Sequence, residues 1–180
     1  MKLIIARHCQ TDWNARHKIQ GSTDIPLNDA GRMQAVALAE KLAGAGISRI
    51  VTSDLSRALE TSSIIACRLS VRIVPDRRLR ECSFGIVEGM PFGLFQFLFG
   101  SMHGKTPEKR LNYDFRLFGG ELGALVAIRY LEAVFDIIRN GPSDSTVMIV
   151  AHGRGLRTFL AALRIEKSVP QQGDYAVIDL

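Results

Sequence analysis

Three separated stretches of the 180-residue chain carry side chains that could do chemistry. Arg7, His8 and Cys9 stand together directly after the apolar run LIIA. Arg57 lies four residues beyond Ser53 in VTSDLSR, and His152 with Gly153 follows TVMIVA. Glu81, in RLRECSFG, adds a carboxyl group. Imidazole and thiolate are nucleophiles, the planar fork of arginine binds oxyanions, and a carboxyl group moves protons. The set therefore suits attack on a small anionic substrate. An Arg-His pair or an AHG turn means little alone, so the argument rests on where the fold puts them.

The elements that must position these residues follow from the hydrophobic pattern. KLIIA reads as a buried strand, and PLNDAGRMQAVALAEKLAGAG as a helix capped by Asn28 and stopped by glycine. RIVT at 49–52 reads as a second strand. Ser53 is expected to cap the helix after it, with Leu55, Leu59, Ile65 and Leu69 as its apolar face. VRIVP at 71–75 is a third strand; Leu125, Ile128, Leu131, Phe135 and Ile138 form the apolar stripe of a further helix. TVMIVA at 146–151 is a fourth strand, GLRTFLAAL a helix, and YAVID an edge strand.

Strands alternating with helices predict a three-layer α/β/α sandwich around a mostly parallel central sheet, with the strands buried on both faces. No internal repeat or low-complexity linker interrupts it, so residues 1–180 read as one domain. The exception is 82–119, rich in Gly, Phe and Pro with weak periodicity, which is expected to form a cap or lid. Arg7 with His8, Ser53 to Arg57, and His152 with Gly153 all fall at carboxyl ends of strands. In open α/β sheets that rim is where ligands bind, so two histidines and two arginines are predicted to meet in one crevice. Glu81, just past the third strand, can join them.

Composition narrows the setting. The net charge of +5 could indicate nucleic acid, but the 23 basic residues are largely offset by 18 acidic ones and RLSVRIVPDRRLRE lacks interleaved aromatics. No nucleic-acid partner is expected. The aromatic-rich stretch MPFGLFQFLFG is too short to cross a membrane, and MKLII meets polar residues before a signal-peptide core could form, so a cytoplasmic protein without a membrane partner is expected. Cys9, Cys67 and Cys82 form no CxxC pair and read as reduced thiols. His17 and His103 lack metal-ligand spacing and read as solvated loop residues.

The segments LIIARHCQTDWN, IQGSTDIPLNDAGRMQA, VTSDLSRALETS, RLRECSFGIVEG, GGE and VMIVAHGRGLR stand in an order and spacing that resemble the histidine phosphatase superfamily. That superfamily includes the cofactor-dependent phosphoglycerate mutases and many small phosphatases, and the resemblance covers most of the chain. It implies a phosphoglycerate mutase-like fold and His8 as the nucleophile that becomes phosphorylated. Arg7, Arg57 and His152 would form the phosphate clamp and Glu81 would be the proton donor. Asn14, Gln20, Gly21 and Gly153 would line the same pocket. No cofactor and no metal ion are implied; the partner is a small phosphate ester, and a homodimer stays open.

The residue chemistry agrees. Arginine forks hold a nearly dianionic phosphate, and their charge disfavours a protonated His8. His152 can donate to equatorial oxygens as the phosphoryl group flattens, and one carboxyl group at Glu81 can serve first as acid, then as base. Each has a structural alternative. Glu81 could simply pair with Arg78 or Arg80, Asn14 and Gln20 could cap loops, and the lid phenylalanines could pack onto the core. Cys9 fits the thiolate mechanism poorly, because cysteine phosphatases space Cys and Arg by five residues whereas six separate Cys9 from Arg16, Trp13 among them. The family usually carries glycine at the position of Cys9, and serine after the glutamate where this chain has Leu122.

The chain also lacks the long insertions and carboxyl-terminal tail with which mutases of the family close their site. A metal-independent phosphomonoesterase is therefore favoured over a mutase-type phosphotransferase, with a catalytically impaired phosphate-binding member as a third reading.

Overall fold

The computed structural model describes residues 1–99 and 113–179. Five strands, β1 (Lys2–Arg7), β2 (Ile47–Thr52), β3 (Arg72–Pro75), β4 (Thr146–Ala151) and β5 (Tyr175–Asp179), form one sheet in the order β3-β2-β4-β1-β5. The first four run parallel; β5 pairs antiparallel with β1 at the edge. The helices are α1 (Asp12–Ala15), α2 (Asp29–Lys41), α3 (Ser56–Leu69), α4 (Phe92–Phe99), α5 (Gly123–Arg139) and α6 (Gly153–Ala162).

Strand alternation sorts the core into two layers. Leu3, Ile5, Val147 and Ile149 face Val126 and Tyr130 of α5 and Leu156 and Phe159 of α6. Ile4, Ala6, Met148 and Val150 face Leu38 of α2 and Ala58 and Ile65 of α3. The chain after β1 therefore builds on one face and the chain after β4 on the other, and the crevice between these neighbouring strands is the switch point at which α/β sheets bind ligands. This is the three-layer sandwich that the alternation predicts.

Two local expectations are corrected. Asn28 does cap α2, its side chain accepting from Gly31 N at 2.8 Å, but Ser53 does not cap α3. That helix begins after Leu55, and its first amide, Ser56 N, instead donates to Asp24 Oδ1 at 2.8 Å from a distant loop. The apolar stripe of α5 is the outer one: Leu125, Ile128 and Phe135 are 54%, 51% and 62% exposed, while Val126, Tyr130, Ala133, Val134 and Ile137 are buried. The buried face mixes the small Gly123, Ala127 and Ala133 with Val126, Tyr130, Val134 and Ile137. Leu131, Phe135 and Ile138 of this helix, with Phe159 and Leu163, border a surface groove of about 400 Å³.

Of the expected lid, residues 100–112, with His103, lie outside the described residues. Phe97 projects outward, whereas Phe95 and Phe115 are fully buried in the same core layer as α5 and α6, with Phe84 edge-on to Phe115 and Tyr113 tilted against it. Packing onto the core, the structural alternative, accounts for them; only Phe92 and Phe84 reach the pocket described next.

Candidate active site

His8 and His152 follow β1 and β4, adjacent parallel strands, and so face each other with ring centroids 5.1 Å apart. Both are essentially inaccessible. His8 Nδ1 lies 2.7 Å from the carbonyl oxygen of Cys9. A carbonyl can only accept, so Nδ1 carries the hydrogen and Nε2 keeps the lone pair. Burial, then the charges of Arg57 and Arg7, hold the His8 pKa well below its usual 6.5, leaving the ring neutral.

The same logic sets the tautomer of His152. Arg57 Nε donates to His152 Nδ1 at 3.2 Å, which makes Nδ1 the acceptor and Nε2 the hydrogen-bearing atom. Burial first, and then Arg57, keep this ring neutral too. Arg57 is fully buried at the first turn of α3; desolvation pulls its pKa down to about 10, partly offset by Glu81, Asp24 and Glu88. Its Nη1 donates to Thr23 O at 2.9 Å and its Nη2 to Gly21 O at 2.7 Å. Three of five N–H groups are thus spent on protein, and one on each terminal nitrogen is left for a ligand. Thr61 ties the two catalytic segments together: its hydroxyl donates to Arg57 O and accepts from Cys9 N.

A cavity of about 180 Å³ is lined by Arg7, His8, Asn14, Gln20, Gly21, Arg57, Glu81 and Gly153. Every site residue expected from the sequence except His152 is on that wall, and His152 stands behind it against His8 and Arg57. Asn14 and Gln20 both cap and line. Asn14 Oδ1 accepts from the amide of Thr11, closing the capping box of α1, and Gln20 Oε1 accepts from the Thr11 hydroxyl. Their amide nitrogens are thereby oriented as donors. Gln20 Nε2, Arg7 Nε and His152 Nε2 are buried without any partner. Two of these donors lie on the cavity wall and the third behind it, and an oxyanion with several lone pairs would suit them together.

Glu81 pairs with neither neighbouring arginine. Arg78 binds Asp76 and Asp136, and Arg80 binds Asp54. The Glu81 carboxyl group instead sits at the amino end of α6. Oε1 accepts from Gly155 N at 2.8 Å and Cys82 N at 3.0 Å, and Oε2 from Arg154 N at 3.0 Å. Oε1 has both lone pairs engaged, while Oε2 has one left, so Oε2 is the atom at which a proton can be held.

Cys9 turns away from the cavity into a small cluster with Leu27 and Ala35, and burial pushes its thiol up to about 11. It is a packing residue. Reading the sequence missed Lys18, Arg154 and Arg157, which add charge to the cavity wall, and Arg129, which spends five N–H bonds on Glu121 and on the carbonyls of Arg78, Arg80 and Glu81. Arg154 and Arg157, three apart on the helix after His152, could have been found by spacing. Arg129 could not, because its main partners are backbone. Glu121, whose place the sequence left open, holds Arg129 and Ser83 N and lines no part of the cavity.

Comparison with known proteins places the chain in a family. The family model for the histidine phosphatase superfamily (branch 1) matches residues 3–175. A probable phosphoglycerate mutase GpmB of Yersinia enterocolitica is 33% identical over 172 residues, 91% of this chain and 74% of that one. Bacillus stearothermophilus YhfR superposes with a TM-score of 0.83 at 29% identity, covering 99% of this chain and 91% of its own. A mycobacterial glucosyl-3-phosphoglycerate phosphatase, Rv2419c, in complex with VO3 gives 0.75 at 34% identity over 90% and 81%. A phosphoserine phosphatase of Entamoeba histolytica bound to phosphoserine gives 0.72 at 26% over 99% and 95%. With the matched segment running from β1 to the start of β5 and the two facing histidines inside it, the chain belongs to the histidine phosphatase superfamily.

Proposed function

We propose that the protein is a metal-independent phosphomonoesterase that works through a phosphohistidine formed on Nε2 of His8. The observation that carries this reading is the tautomer pair: an unprotonated nitrogen on His8 opposite hydrogen-bearing donors on His152, Arg7 and Gln20. In the first half-reaction the Nε2 lone pair forms a bond to phosphorus in line with the ester oxygen. The P–O ester bond breaks, and the leaving oxygen takes a proton from Oε2 of Glu81. Arg7 and Arg57 hold the equatorial oxygens, and His152 donates to one of them as charge gathers there.

In the second half-reaction water attacks phosphorus, gives its proton to Oε2 of Glu81, and the P–N bond returns its electron pair to the ring. Guanidinium groups take the part that a metal ion takes in other phosphatases. The substrate body would rest against Ile19, Phe84 and Phe92 on one side and Lys18, Arg154 and Arg157 on the other, which suits small phosphate esters of mixed polarity. The phosphatase neighbours support hydrolysis as the outcome.

The likeness to probable phosphoglycerate mutases favours a second reading, phosphoryl transfer back to the substrate instead of to water. One assay separates the two. Aryl phosphate hydrolysed in the presence of a chelator, with an acid-labile phosphoenzyme trapped on His8, supports the phosphatase. Isomerisation of a phosphoglycerate without release of phosphate supports the mutase. Phosphate binding without either reaction supports an impaired member and overturns both.

A further inference from the structure

Glu88 lies outside the cavity wall, yet its carboxylate gathers more bonds than any other acid among the described residues. Oε1 accepts from Ser22 N at 2.9 Å, Phe84 N at 2.9 Å and Ser22 Oγ at 3.1 Å. Oε2 accepts from Thr23 N at 2.8 Å and from the Thr23 hydroxyl. All of these donors except Phe84 N belong to the turn 21–24, and the carbonyls of that same turn, Gly21 O and Thr23 O, hold the two terminal nitrogens of Arg57. Asp24, at the end of the turn, accepts from Ser56 N and Ser56 Oγ, immediately before Arg57.

We infer that Glu88 is a positioning residue: it fixes the 21–24 turn, and through the Gly21 and Thr23 carbonyls it aims the Arg57 guanidinium at the bound phosphate. The inference rests on the phosphate-site reading above but not on the fate of the phosphoryl group. An arginine side chain has four rotatable bonds and loses about 2 kcal/mol of rotamer entropy when fixed. A clamp needs its fork held to within about 0.5 Å, so a buried arginine whose two terminal nitrogens are held by loop carbonyls inherits the precision of the loop. In the trans peptide between Gly21 and Ser22 the amide points at the Glu88 carboxylate, and its carbonyl therefore points the opposite way, towards the guanidinium.

Gly21 provides a second, independent sign of the arrangement. Its φ is +59°, and a Cβ built there would overlap the Glu88 carboxylate. Only glycine both adopts this backbone readily and leaves room for the acid beneath the turn. The charge of Glu88 also works in the same direction, favouring the charged form of Arg57 across the turn.

A double-mutant cycle on phosphate affinity tests this. Inorganic phosphate is titrated by calorimetry into wild type, Glu88→Ala, Arg57→Ala and the double variant, each checked for folding by circular dichroism. Glu88→Ala is expected to weaken phosphate about 10- to 30-fold in the wild-type background and less than about 2-fold once Arg57 is gone, because coupled residues do not act additively. Glu88→Gln, which keeps the shape but sets an NH₂ against the donors of either Ser22 or Thr23, is expected to fall between and serves if the alanine variant does not fold. Equal losses in both backgrounds, or no loss, would overturn the inference and leave Glu88 as scaffold. If wild type binds phosphate but hydrolyses no ester, the reading of the reaction fails while this one stands; if wild type does not bind phosphate, both fail.

Discussion

Arg57 Nε and His152 Nδ1, 3.2 Å apart, form the bond that decides which nitrogen of His152 carries the hydrogen. Lysine at position 57 would keep the charge but not the planar fork that serves His152, Gly21 and Thr23 together. Arg57→Lys is expected to lower kcat/KM for an aryl phosphate by about 10²- to 10³-fold, the range for losing an aligned charge-stabilising donor. Steady-state kinetics beside a thermal melt check it; a near-wild-type rate would show that charge alone suffices.

The neighbours His8 and Cys9 should behave in opposite ways. His8→Ala removes the nitrogen proposed to attack phosphorus and is expected to lower kcat by at least about 10⁴-fold, as loss of a nucleophile does elsewhere. Cys9→Ala, away from the cavity beside Leu27 and Ala35, should keep kcat within about 3-fold and cost roughly 1 kcal/mol of stability for the lost packing. The reverse pattern would move the nucleophile to sulfur.

Acid should destabilise the fold from just below neutrality. His8 and His152 are held neutral by burial and neighbouring arginines, with pKa values well under the 6.5 expected of an open chain. Between the unfolded and folded values the unfolded chain binds more protons, so stability is fully present above about 6.5 and falls as pH drops below it, by up to about 1.4 kcal/mol per pH unit for each ring. Urea unfolding at pH 7.5 and 5.5 measures the slope, and His8→Gln should flatten it. A pH-independent midpoint over that interval would contradict the assignment.

Arg129 is expected to be worth more than an ordinary surface arginine. Its guanidinium satisfies the carbonyls of Arg78, Arg80 and Glu81, and Tyr130 takes that of Leu79, so adjacent residues of α5 hold the whole strand exit that presents Glu81. Arg129→Leu strands those acceptors and Glu121, with an expected cost of about 3–5 kcal/mol. Denaturant midpoints measure the loss, and a change under about 1 kcal/mol would refute it.

Gly153→Ala separates activity from stability. Its Cβ would lie 3.3 Å from Arg7 Cζ and Nε, pressing on the guanidinium from behind, with no positive φ to strain the backbone. The melt should stay within a few degrees, since alanine favours a helix start over glycine. kcat/KM is expected to drop about 10-fold, because sub-ångström misplacement of a clamp is costly. An unchanged rate would mean that Arg7 tolerates the shift.

Much of this protein could be read from its residues. Continuous apolar runs marked the buried parallel strands, Asn28 marked the start of α2, and the placement of Arg7, His8, Arg57 and His152 after strands marked the crevice. The face of α5 could not be read, because Val126, Tyr130 and Ile137 on one side match Leu125, Ile128 and Phe135 on the other in spacing and apolarity, and only the packing of the helix against the sheet decides between them. Arg129, Thr61 and Glu88 were invisible for another reason. Their partners are mainly peptide groups, which every residue possesses, so no side-chain pairing announces them.

The strand order β3-β2-β4-β1-β5 sets β1, which leaves the ribosome first, between the two strands that leave it last. A nascent chain cannot complete the middle of its sheet until about residue 151 has emerged, and until then the apolar edges of β1 and β2 await β4. Closure of the sheet during synthesis therefore waits on β4, the one strand that joins the β2–β3 pair to β1.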